Sequence, residues 1–131
     1  MPGRSSLALL AFLAAALLGA CGPNDALGLT EAPASLDPNS PTLTAKDIAF
    51  SATELDVAAG APFILVVHND DTVSHNVSIY RDGTTTDPVF KGVVFPGAGT
   101  TRWYPVPALA AGTYTFKCDL HPNMTGTLRA S

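Results

Sequence analysis

The sequence predicts an all-β sandwich, and three observations point that way. From Lys46 to Ser131 the apolar residues come in short runs or in strict alternation. Clusters of Gly, Pro, Asn and Asp separate those runs, and no stretch carries helical periodicity with caps. Seven or eight such strands in 86 residues suit two packed sheets.

The strands follow in order. KDIAF (46–50) reads as the first. ELDV (54–57) alternates, with Leu55 and Val57 facing one way and Glu54 and Asp56 the other. APFILVVHN (61–69) is a continuous apolar run, as suits a strand covered on both faces. Asn69, Asp70 and Asp71 then supply a turn, and SHNVSIY (74–80) resumes the sheet. After a polar loop from Arg81 to Pro88 come VFKGVVF (89–95), a PGAGT turn and TRWYPV (101–106), where Trp103 reads as packing. GTYTFKC (112–118) places Tyr114, Phe116 and Cys118 on one face, with Tyr114 suited to a tyrosine-corner hydrogen bond. GTLRA (126–130) closes the chain.

The N-terminus reads differently. Arg4 precedes the apolar run LALLAFLAAALLGA (Leu7 to Ala20), which has the length of a signal-peptide core and is short for a bilayer span. Leu18-Gly19-Ala20-Cys21 at its end resembles the bacterial lipobox. That resemblance implies that residues 1–20 are cleaved, that Cys21 becomes a lipidated N-terminus, and that the protein is exported and membrane-anchored. Ordinary signal cleavage, leaving Cys21 a free thiol, is the alternative. Residues 21–45 are rich in Pro, Asn, Asp and Ser and read as a flexible tether to a domain spanning 46–131.

The formal net charge is −4, and there is no run of Lys or Arg. Nucleic acid is therefore not an expected partner, and the mild acidity serves solubility. No Ser/His/Asp arrangement, carboxylate pair or phosphate-binding loop stands out, so no enzymatic role is expected, and the chain is expected to be a monomer.

Two cysteines are present, and lipid on Cys21 leaves Cys118 without a partner. An odd thiol in an exported protein is capped, paired between chains or bound to metal. Here it stands in TYTFKCDLHPNMTG (113–126), with His121 and Met124 at successive three-residue intervals. Pro122 and Asn123 favour a tight turn, which lets Cys118, His121 and Met124 converge. A thiolate, an imidazole and a thioether, joined by a second imidazole, make the donor set of blue copper electron-transfer centres. His75, opening a strand after a turn, is the better-placed second imidazole; His68, closing the run FILVVH, reads as a strand-end residue. Zinc is chemically compatible with such a set, and the thioether favours copper.

These residues resemble the type 1 copper proteins: plastocyanin, pseudoazurin and especially amicyanin. The resemblance rests on Cys118-x-x-His121-x-x-Met124, preceded by Gly112-x-Tyr114-x-Phe116 and by His75-Asn76-Val77. It covers Lys46 to Ser131 and implies a Greek-key β-sandwich, the cupredoxin fold. It further implies one copper ion held by His75, Cys118, His121 and Met124, with Asn76 tying the two ligand loops together. His121 then lies nearest the surface as the electron exit, and the implied function is one-electron carriage between transient redox partners. Two other readings use the same residues: a copper chaperone or buffer outside the cytoplasm, and a metal-free interaction domain of the same fold. Asn76-Val77-Ser78 and Asn123-Met124-Thr125 match the N-glycosylation pattern by chance, since a glycan there would crowd the site.

Overall fold

A computed structural model describes residues 29–81 and 83–131. The signal-like run Leu7 to Ala20 and Cys21 lie outside them. Among the described residues no helix is long and apolar enough to cross a membrane.

Among the described residues nine strands form two sheets. They are β1 (Thr42–Lys46), β2 (Ala49–Phe50), β3 (Glu54–Val57), β4 (Phe63–Asn69), β5 (Ser78–Arg81), β6 (Pro88–Lys91), β7 (Thr100–Val106), β8 (Gly112–Lys117) and β9 (Thr125–Ala130). One sheet has the order β2-β1-β4-β7, the other β3-β9-β8-β5-β6. β1 runs parallel to β4 and β3 parallel to β9; the remaining neighbours are antiparallel. The interior is filled from both sides. Leu43, Leu65, Val67 and Tyr104 of the first sheet meet Leu55, Ile79, Phe90, Phe116 and Leu128 of the second. Each of these sits at an inward position of a period-2 pattern or in the long run of β4. The Tyr114 hydroxyl donates to the Ala110 carbonyl at 2.8 Å, closing the corner before β8.

Two features differ from the sequence expectation. KDIAF is not one strand but the end of β1, a two-residue turn and β2, which raises the strand count to nine. Asp47 and Ile48 form the turn with φ of 54° and 55°, and Lys46 pairs with Ala49 across it. Two positive φ values in a two-residue hairpin loop mark a type I′ turn, whose usual signal is glycine at the second position. Isoleucine hides it.

The ordered fold also begins ahead of Lys46. TLTAK alternates, burying Leu43 and Ala45, and so makes β1 beside β4 within the segment that reads as tether. Further upstream, Leu29 bridges Trp103 on β7, with N–H to O distances of 2.7 and 3.2 Å.

The turn yields the first prediction. A left-handed conformation costs a non-glycine residue about 1–2 kcal/mol, and Ile48 is 50% exposed, so little burial offsets it. Ile48→Gly therefore raises stability by about 1 kcal/mol after glycine's extra chain entropy is subtracted, measurable as a higher denaturant midpoint.

Buried hydroxyls yield the second. Burial and then the hydrogen bond to Asp119 push the Tyr80 hydroxyl up to about 12, and burial raises Tyr104 as well. An acid whose pKa is raised by folding resists ionisation in the native state, so its ionisation favours the unfolded chain. This stability is complete below about pH 10, the unfolded tyrosine value, and is lost as pH climbs through 12. Denaturant midpoints taken from pH 8 to 12 should fall steeply above pH 10, and Tyr80→Phe should make the fall shallower.

Candidate metal centre

The candidate site lies at the end of the sandwich where β4 and β8 finish. β8 carries Tyr114 and Phe116 inward, and its alternation continues to Cys118, which is fully buried. The chain then turns tightly. Cys118 N–H donates to the Met124 carbonyl at 2.9 Å, and Met124 N–H to the His121 carbonyl at 3.0 Å. These two bonds bring the ends of the loop 119–123 together and return the chain into β9. Met124 is 1% exposed and packs with Cys118, Ala45 and Phe50 in a small cluster of its own.

His75 arrives from the other direction. β4 ends at Asn69, residues 70–74 make the connection, and His75 forms an isolated bridge with Phe95 through N–H to O bonds of 3.1 and 2.9 Å. Its side chain is fully buried. His75 Nδ1 stands 3.7 Å from Cys118 Sγ, and His121 Nδ1 stands 3.5 Å from the same sulfur. The rings of His75 and His121 are 4.7 Å apart between centroids. One donor atom from each of His75, Cys118 and His121 lies within 4.8 Å of the other two. For a small divalent ion, with metal–sulfur about 2.3 Å and metal–nitrogen about 2.0–2.1 Å, a trigonal arrangement separates sulfur from nitrogen by about 3.7 Å. The spacing fits such an ion.

His68 is elsewhere. It lies on β4, half-buried, with Nδ1 2.7 Å from the Thr101 hydroxyl. The structure brings His75, Cys118 and His121 together, buries Met124 beside them, and leaves His68 out of the cluster.

Asn76 joins the two segments. Its Oδ1 accepts the Asp119 N–H at 2.8 Å, and its Nδ2 donates to Asp119 Oδ2 at 2.8 Å and to the Gly92 carbonyl at 3.0 Å. Two acidic residues that the sequence reading passed over complete the surroundings. Asp119 also accepts the Ser78 hydroxyl at 2.6 Å and the Tyr80 hydroxyl at 2.6 Å. Burial opposes its ionisation, but the Ser78, Tyr80 and Asn76 donors outweigh that and hold its carboxyl below the usual range. Asp71 accepts His75 Nε2 at 2.7 Å. Its carboxyl is likewise held low, burial opposing and the Ile48, His75 and Asp47 donors prevailing. The available signal for Asp119 was its place directly after Cys118, and for Asp71 its spacing of four before His75.

Known structures share this architecture. Auracyanin A, described as a "blue" copper protein from Chloroflexus aurantiacus, aligns over 70% of this chain and 98% of its own at 21% identity, with a TM-score of 0.61. Auracyanin from Roseiflexus castenholzii aligns over 74% and 99% at 17% identity, TM-score 0.61. Amicyanin from Paracoccus versutus aligns over 75% and 87% at 19% identity, TM-score 0.54. No curated protein matches the sequence significantly. The family model of the cupredoxin-like domain matches residues 9–130. With nearly the whole sequence covered by that model, the chain belongs to the cupredoxin-like family.

Proposed function

We propose that this protein is a mononuclear type 1 copper protein that carries single electrons between redox partners. The observation that carries the reading is the meeting of His75, Cys118 and His121 donors within 4.8 Å, with Met124 buried alongside Cys118. His75, 43 positions before Cys118, brings a second imidazole to the thiolate and to the His121 imidazole three residues beyond it, a set that suits copper. When bound, copper supplies one-electron exchange between its Cu(I) and Cu(II) states.

The residues around it keep the donors still. His75 is held by its bridge to Phe95 and its bond to Asp71, Cys118 by its main-chain bond to Met124 and by the neighbouring Asn76–Asp119 pair. Donors that do not move between charge states keep reorganisation small. Full burial of His75 and Cys118 excludes water, and half-buried His121 is the donor that reaches toward solvent.

An apolar face at the same end supports a docking role. Ile48, Val73, Val93, Val94 and Leu120 are between 36% and 50% exposed. Ile48 N–H bonds to Asp71, Val73 lies in the loop before His75, Val93 and Val94 precede Phe95, and Leu120 adjoins His121. Such a face suits the small, transient contacts of electron-transfer partners. Export and anchoring through a lipid on Cys21 belong to the same proposal, on the strength of the Leu18-Gly19-Ala20-Cys21 motif. A tether would let one anchored carrier reach more than one partner.

Copper-loaded protein is expected to show intense visible absorption, a Cu(II) EPR signal and a reversible one-electron wave. Cys118→Ser and His75→Ala should abolish the colour, and His68→Ala should keep it; colourless loaded protein without a wave would defeat the proposal. Leu120→Glu should retain the colour while slowing electron exchange with a protein partner by about tenfold, consistent with about 1.4 kcal/mol lost at the contact.

A further inference from the structure

Asp71 has every polar atom engaged. Its N–H donates to Asn69 Oδ1 at 3.1 Å and its carbonyl accepts Ala98 N–H at 2.6 Å. Oδ1 accepts the Asp47 N–H at 2.6 Å; Oδ2 accepts the Ile48 N–H at 3.1 Å and meets His75 Nε2 at 2.7 Å. Gly97 makes the crossing possible, since a Cβ there would land on the Asp71 carbonyl oxygen. One carboxylate therefore holds both residues of the left-handed β1–β2 turn and one imidazole of the candidate centre. Its side chain is 12% exposed and that of His75 not at all.

We propose that Asp71 is a positioning residue that dictates which nitrogen of His75 faces Cys118, and that its negative charge favours the oxidised form of the bound copper. The second half rests on the copper reading above; the first does not. An ionised carboxylate only accepts hydrogen bonds. The proton of a neutral imidazole is therefore drawn to Nε2, which leaves the Nδ1 lone pair 3.7 Å from the sulfur of Cys118. An acceptor bonded to the far nitrogen of a metal-binding imidazole also raises its donor strength. The more highly charged ion gains more from a nearby anion, and a buried path leaves that attraction little screened.

The left-handed turn fits the same role. Non-glycine residues at positive φ persist only where their surroundings over-determine them, and here the surroundings are the Asp71 oxygens. Strain in the turn and orientation of the ring are held by the same group.

The test pairs Asp71→Asn with Asp70→Asn, which removes the same charge one residue away at an exposed position. Nitrogen-15 NMR of the metal-free wild type is expected to place the His75 proton on Nε2; a proton on Nδ1 would overturn the positioning role without need of any variant. Cu(II) and Cu(I) affinities are then measured by competition with chelators. Asp71→Asn is expected to weaken Cu(II) binding about 10–100-fold and Cu(I) binding by much less. Each tenfold difference between the two raises the one-electron potential by about 59 mV. Asp70→Asn is expected to change neither affinity more than about twofold, on the principle that an exposed charge is largely screened. Equal ratios in the wild type and Asp71→Asn, or equal shifts in both variants, would overturn the charge role. Wild-type protein that takes up no copper would defeat the copper reading and the charge role with it, while the imidazole proton still decides the positioning role.

Discussion

The candidate centre depends on one cross-connection, the two-way bond between the Asn76 amide and Asp119. Through it the segment carrying His75 and the segment carrying Cys118 are joined although 43 residues separate them. Neither segment is regular strand at that point: β5 begins only at Ser78 and β8 ends at Lys117. The named strands therefore stop just short of the donors, which keep only the His75–Phe95 bridge and the Cys118–Met124 main-chain bond. Without a tie beyond the ladder, both ends would be free to fray, because strand termini are the least protected part of a sheet. Asn76 suits the task since its amide offers an acceptor and two donors, enough to engage Asp119 twice and Gly92 once.

The same end of the molecule is continuous with the core. Phe116, fully buried, stacks obliquely with Phe50 at 5.7 Å between centroids, and Phe50 packs against the Ala45, Cys118 and Met124 cluster. Cys118 and Met124 thus pack into the last layer of the sandwich. Gly126 lets the layer close: a Cβ there would strike the Phe116 ring. Precision at the centre is inherited from core packing, which resists displacement because interiors are dense.

Much of this was legible in the sequence, and the unequal legibility has a physical basis. ELDV showed itself by strict alternation, and the β4 run by unbroken apolarity. The Cys118, His121 and Met124 spacing was readable because those residues lie within one turn of chain. His75 needed more: its place after a turn and the resemblance carried by His75-Asn76-Val77 separated it from His68, and the sheet topology places the two apart. The Asp47-Ile48 turn was invisible because its conformation is maintained by a distant carboxylate rather than by glycine. TLTAK was masked by the prolines and asparagines before it, although its alternation was present. Asp71 read only as a turn residue and Asp119 drew no reading, since their partners are remote; a carboxylate's importance here comes from what meets it.

The two carboxylates also explain how a soft site tolerates charge in a buried place. Removing an anion from water is costly, and burial alone would raise both pKa values. Each instead sits among donors: Asp119 takes the side chains of Asn76, Ser78 and Tyr80, while Asp71 takes two main-chain N–H groups and His75. Those donors are fixed by the fold before any ion arrives, so the anions are stabilised in the metal-free protein as well. A cation entering between His75, Cys118 and His121 then meets negative charge already in place on both flanks. The fold meets the desolvation cost once, at folding, and binding need not reorganise either carboxylate. Preorganisation of this kind would let three neutral or singly charged donors hold a cation without moving.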